Sequence, residues 1–175
     1  MMKNIVLALV ILSFFSGCKK DSIGIRFNMD YTTSFDIKSG NILSLPLDFF
    51  TPDITTNSET QFSENDTRKD KIQEIKLTSL SLDITNPDNA TFDFLKHVYL
   101  YINADGLEEI RYAFKENIAD GLLILNLDTE GVDLSEYIKK DKFSLRAECV
   151  QDKTLDKDLT VKADMVFAVK ANPLK

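Results

Sequence analysis

Few residues of this chain are able to do chemistry. Its 175 residues include one histidine, His97, two cysteines, Cys18 and Cys149, and six glycines. A Ser-His-acid triad or an ordinary transition-metal site would have to use His97, because the triad needs an imidazole base and two cysteines are too few for a thiolate ligand set. No Gly-x-Ser-x-Gly elbow supplies it with a nucleophile. Its neighbours in HVYLYIN place it on the outward face of a strand with Tyr99 and Tyr101, opposite Val98, Leu100 and Ile102. Glu108 and Glu109 are adjacent along a strand edge, so they point to opposite faces and cannot flank a glycosidic bond. NPDNATFD gathers the oxygen donors Asp88, Asn89, Thr91 and Asp93, without the glycine and closing glutamate of an EF-hand. The glycines are scattered singly and form no phosphate cradle. These patterns predict no catalytic residue, no metal site and no cofactor. What remains is the outward stripe His97, Tyr99, Tyr101. Exposed aromatic rings on a sheet can stack on sugars or anchor a protein partner, or they can fill cross-strand space under the long polar stretch Thr51 to Asp70.

Cys18 has a different chemistry. It follows one basic residue, Lys3, an apolar stretch from Ile5 to Phe15 broken only by Ser13, and the small pair Ser16-Gly17. Charge, apolar run and small residues in that order make a secretory leader, and the run is well short of the roughly 20 residues a membrane-spanning helix needs. Ser16-Gly17-Cys18 resembles the lipobox of bacterial lipoproteins, with Phe15 where leucine is commoner. That resemblance implies a leader over 1–17, cleavage before Cys18, diacylation of its thiol and a short tether over 18–22. Lys19, where an acid would signal inner-membrane retention, favours the outer membrane, while the side on which the domain faces stays open. The lipobox-like leader resembles that of a Bacteroidota-type lipoprotein; Asp21-Ser22-Ile23 also matches the O-glycosylation sequon of that phylum, a pattern so brief that chance explains it. Acyl chains at about 0.8 kcal/mol per buried methylene make a lasting anchor. The expected partners are therefore the membrane, through Cys18, and an envelope protein or glycan.

The rest of the chain must position the stripe. Behind the leader come 20 basic and 28 acidic residues, a balance that argues against nucleic acid, and against anionic lipid heads, as partners of the domain surface. With Cys18 acylated, Cys149 has no disulfide partner, and KFSLRAECV places it on one face with Phe143, Leu145 and Ala147, as a small buried hydrophobe.

Two-residue alternation recurs through the chain, while no helical period is sustained. Ile23, Ile25, Phe27, Met29 and Tyr31 form one inward face; Leu43, Leu45, Leu47 and Phe49 form another, on an edge strand marked by Pro46. Ile75 and Leu77 fall out of phase with Leu80, Leu82 and Ile84, which predicts a bulge near Thr78 and Ser79. Ile110, Tyr112 and Phe114 alternate after the Asp105-Gly106 turn. LLILNL, apolar on both faces, reads as a central covered strand. Leu159, Val161, Ala163, Met165, Phe167 and Val169 close the chain inward. In DLSEYIKK, Asp133 and Glu136 have the spacing of a capping box, with Leu134, Tyr137 and Ile138 on one face of a short helix that plugs the sandwich. Thr51 to Asp70 lacks period and reads first as a variable surface loop, and second as a mobile or partner-contacting excursion.

These elements predict a mainly β fold: one antiparallel immunoglobulin-like β-sandwich of about eight strands with one short helix, spanning 23–175. The segment LDITNPDNATFDFLKHVYLYINADGLEEIRYA, with turns at Asn86-Pro87 and Asp105-Gly106, resembles the type-2 late-embryogenesis-abundant, WHy-like β-sandwich family. That resemblance covers about thirty residues and implies an immunoglobulin-like sandwich without an active site.

Overall fold

The computed structural model describes residues 24–40, 47–50, 54–55, 57–151 and 153–174. The leader, Cys18, the Asp21-Ser22-Ile23 tripeptide and the stretch Leu43 to Pro46 lie outside the described residues. Two antiparallel sheets face each other. One holds β1 (Ile25–Ile37), β10 (Leu159–Ala171), β4 (Ile72–Asn86) and β7 (Ile124–Asn126), in that order. The other holds β2 (Leu47–Phe50), β9 (Lys142–Gln151), β5 (Leu95–Asn103), β6 (Ile110–Glu116) and β8 (Asp128–Thr129), with β3 (Ile54–Thr55) also on β9. β2 and β3 line the same strand at successive registers, and the chain steps between sheets at Leu127, from β7 to β8. Each of these pairs taken as one strand leaves the expected eight.

Alternation explains the core. Along β10, Leu159, Val161, Ala163, Met165, Phe167, Val169 and Ala171 are all buried, the large ones each contributing roughly 1.5–3 kcal/mol. β1 pairs with it residue for residue from Ile25–Ala171 to Ile37–Leu159. On β4, Ser79 opposes Val166 and Leu77 opposes Phe167, so Thr78 is the extra residue. This bulge returns Leu77 and Leu80 to the same buried face, as the phase change in the sequence required. β2 takes the edge position expected of its sequence.

Four expectations are corrected. LLILNL is no covered central strand: β7 is the edge of its sheet, and while Leu125 is fully buried, Leu123 and Ile124 are about half exposed. Phe114 leaves the inward set, because Leu100 opposes Ala113 and Tyr101 opposes Arg111, which makes Tyr112 a bulge and turns Phe114 outward beside Tyr99. The Thr51 to Asp70 stretch is not a plain loop but carries β3, a helix and a 3-10 turn in its described part. Helix α1 (Ser58–Glu64) buries Phe62 against Phe27, ring edge to face at 6.5 Å, and Thr67 Oγ1 donates to the Asn172 carbonyl. A lone apolar side chain among the polar residues of 57–70 carries no periodic signal, yet Phe62 seats the helix.

The capping box is the fourth. Helix α2 (Ser135–Ile138) packs Leu134, Tyr137 and Ile138 into the core as expected, but Asp133 Oδ1 accepts the backbone N–H groups of Ser135 and of Ile75 on β4, and Glu136 pairs with Lys139 instead of reaching back. Asp133 thus joins the helix to a strand rather than closing a box.

The sandwich has a near end, where the described domain begins. Here the Ile75 carbonyl receives Leu134 N–H, the Lys71 carbonyl receives Asn172 N–H, and Tyr137 donates to the Glu108 carbonyl in the β5–β6 turn. At the far end, Gly40 N–H bonds the Leu155 carbonyl and Lys153 pairs with Asp120. Among the described residues no helix is long and apolar enough to cross a membrane.

Candidate interaction surface

The outward stripe lies on the outer face of β5, β6 and β9, and register builds it. Opposite Tyr99 stand Phe114 on β6 and Glu148 on β9; opposite Tyr101 stand Arg111 and Arg146; opposite His97 stand Glu116 and Val150. Two bulges make this possible. Lys96 is the extra residue between Leu95 and His97, and Tyr112 is the extra residue that brings Phe114 and Arg111 to the same face.

The side chains interlock. The rings of His97 and Tyr99 lie 6.4 Å apart at 28°. The Arg111 guanidinium sits 5.5 Å from the Tyr99 centroid and 5.2 Å from that of Phe114, and that of Arg146 sits 4.0 Å from Tyr101. Stacked guanidiniums over aromatic faces contribute about 0.5–2 kcal/mol each, more as water is excluded. Each arginine is also held by acids: Arg111 by Glu130, and Arg146 by Glu109 through Nε at 3.0 Å and Nη2 at 2.6 Å, with Glu148 at 3.5 Å. The Arg146 side chain is only 16% exposed, and the planar fork suits the two-point contact. Tyr99 donates to Glu116 at 2.8 Å, and that hydrogen bond to a carboxylate raises its phenol pKa. His97 Nδ1 accepts the backbone N–H of Asn117 at 3.2 Å, leaving Nε2 to carry the proton in the neutral ring.

His97, Tyr99 and Tyr101 are therefore brought together as expected, though half-buried rather than fully exposed. The groups over the tyrosine rings, among the described residues, are Arg111 and Arg146 and not the Thr51 to Asp70 segment. Sequence reading missed Arg111, Arg146 and Phe114. Arg146 had a signal, since alternation in KFSLRAECV sets it opposite the buried face; Phe114 had none, because a bulge cannot be read from alternation that looks regular. Such a face offers hydrogen-bonding edges, cationic planes and aromatic area at fixed positions, which is the chemistry of recognition.

The other candidates lie elsewhere. Glu109 is committed to Arg146, and the Glu108 carbonyl to Tyr137. Asp93, in the far-end loop, accepts Gly121 N–H at 2.6 Å; that bond, then one from Thr91, holds its carboxyl below the usual range. Among the described residues no cluster of three or more histidine, cysteine or acidic side chains is placed to hold a metal. Cys149 is buried, as its register predicted.

Between the sheets lies a cavity of about 30 Å³ bordered by Leu80, Leu82, Leu100, Met165 and Tyr112. The Tyr112 hydroxyl, on a residue 1% exposed, has no hydrogen-bond partner among the described residues, and burial drives its pKa far above that of a free phenol. No protein-family model matches the chain, and no curated protein matches its sequence.

Proposed function

We propose that this protein is a non-enzymatic module of the bacterial cell envelope, held at the outer membrane by acyl chains on Cys18, which binds an envelope protein through the outer face of β5, β6 and β9. The observation that carries the binding role is the packing of Arg111 and Arg146 over Tyr99, Phe114 and Tyr101 on one sheet face. Tyrosine and arginine are the types that dominate interface energetics. Side chains already fixed by neighbours lose little further entropy on binding. The anchor rests on Lys3, the apolar run Ile5 to Phe15 and Ser16-Gly17-Cys18. The order β4, Asn86-Pro87, β5, Asp105-Gly106, β6 is the one that membership of the WHy-like family implies.

Two measurements test this. Palmitate incorporation is expected in the wild type and absent from Cys18→Ser; equal labelling of both rejects the anchor. A photo-crosslinking residue at Glu148 is expected to give one discrete adduct in cells, weakened by Arg111→Ala with Tyr101→Ala, and a site that yields no adduct rejects the surface. The near-parallel His97 and Tyr99 rings favour a second reading, sugar stacking. A glycan-array response lost in Tyr99→Ala and Tyr101→Ala would replace the protein partner with a glycan.

A further inference from the structure

Net charge sums over the whole surface and hides local arrangement. On the outer face of the β1–β10–β4 sheet, Arg26 stands directly opposite Lys170, and Lys170 directly opposite Glu74. Glu74 is held by Lys76 at 2.6 Å. Among the described residues neither Arg26 nor Lys170 has an ion-pair or side-chain hydrogen-bond partner. Three cations and one committed acid thus lie along this end of the face, and the pair Arg26 and Lys170 facing each other across strands is of like sign, an arrangement that costs stability. Ala168, small and half-buried, floors a shallow groove bordered by Arg26, Asn28, Glu74, Lys76 and Lys170, in which the Glu74 carboxylate is engaged by Lys76.

The place of this groove matters. The described chain opens at Gly24, two residues before Arg26, where Ile25 opposes Ala171 and Arg26 opposes Lys170. Cys18 is six residues earlier, and at no more than about 3.6 Å per residue its sulfur is tied to within roughly 20–25 Å of Gly24. Lys19 and Lys20 lie within that span. An acidic domain tethered at this end turns its cationic patch to an anionic bilayer, and its remaining surface away.

We infer that the groove of Arg26, Lys76 and Lys170 is a membrane-docking face that receives the phosphate of an anionic lipid headgroup, fixing the tethered domain with its near end on the bilayer. The inference takes its geometry from the anchor at Cys18, so its test supplies the anchor chemically. The chain from Cys18 onward, which contains every described residue, is coupled through Cys18 to a maleimide lipid; buried Cys149 is out of reach of the reagent. The product is held on vesicles of phosphatidylcholine alone or mixed with phosphatidylglycerol, and lysine acetylation by a water-soluble reagent is followed by mass spectrometry.

With each cation adding about five-fold to partition at an anionic surface, labelling of Lys170 is expected to slow several-fold on the anionic vesicles. Lys157, at the far end, is expected to label equally on both. Arg26→Gln is expected to restore much of the Lys170 rate, and raised salt the rest. Equal labelling of Lys170 on the two vesicles overturns the inference. So does protection on phosphatidylcholine by inorganic phosphate to the same extent, which would make the groove a site for small anions. Because the lipid is attached by hand, absence of natural palmitate labelling would remove the anchor reading alone.

Discussion

Replacing Tyr112 with phenylalanine is expected to stabilise the protein, against the usual direction of core substitutions. Tyr112 is 1% exposed and its hydroxyl meets no donor or acceptor among the described residues. An unpartnered buried hydroxyl costs about 1–3 kcal/mol on mutational scales. Its removal enlarges the neighbouring cavity by one hydroxyl, a loss of a few tenths of a kcal/mol at about 24 cal/mol per Å³. The balance is a gain of about 1 kcal/mol, or roughly 3 °C in Tm for a domain of this size. Urea denaturation followed by circular dichroism, with calorimetry for Tm, reads both. The alkaline limb gives a second reading. Burial lifts Tyr31 to about 12 and Tyr112 higher still, so the folded state keeps protons that the unfolded chain releases near pH 10. Their contribution is complete below pH 10 and is lost as pH climbs through 12, and phenolate absorbance from these two rings is expected only with unfolding. Tyr112→Phe should flatten that limb. A variant destabilised by 1 kcal/mol or more would refute the reasoning and place an ordered water on the hydroxyl.

Other substitutions probe other parts. Arg146→Ala removes both the stack on Tyr101 and the fork to Glu109, and about 1–2 kcal/mol of stability is expected to go in urea denaturation, with Arg146→Lys recovering less than half. Phe62→Ala empties a fully buried site in α1 and is expected to cost about 3–5 kcal/mol; a loss under 1 kcal/mol by the same assay would return the Thr51 to Asp70 segment to a loosely held loop. Asp158, which accepts Ser39 N–H, Lys38 Nζ and Ser39 Oγ, is held down to about 2. The far-end contact is thus intact above pH 4 and is lost as pH falls through 2, which a carbon NMR titration of the Asp158 carboxyl and exchange of the Ser39 amide would follow.

The fold was legible because it rests on alternation. β10 and β1 carry an unbroken two-residue period, and even the Thr78 bulge announced itself as a phase change between Leu77 and Leu80. Legibility failed where the deciding contact is not periodic. LLILNL is apolar on both faces, yet its neighbours in space, fixed by where the chain changes sheets at Leu127, cover only one of them. Phe62 sits among polar residues and is placed by its contact with Phe27, which no local pattern describes. The stripe of His97, Tyr99 and Tyr101 was readable as residues, whereas its arginine cover depends on β9 lying beside β5, a fact of topology.

The bulge at Tyr112 joins these threads. Without the extra residue, Phe114 would continue the inward alternation from Ile110; with it, Ala113 takes the inward place opposite Leu100, and Phe114 and Arg111 come out beside the tyrosines. The same residue drives the Tyr112 phenol into the core with its hydroxyl unsatisfied. One irregularity therefore assembles the candidate surface and leaves a stability cost behind it. Departures from local rules that carry a cost in the core concentrate where a surface has work to do. Tyr112→Phe separates the two effects, since it keeps the bulge and the outward Phe114 while deleting the orphaned hydroxyl. Greater stability with the Glu148 crosslink unchanged would show that the cost lies in the oxygen and the surface in the backbone.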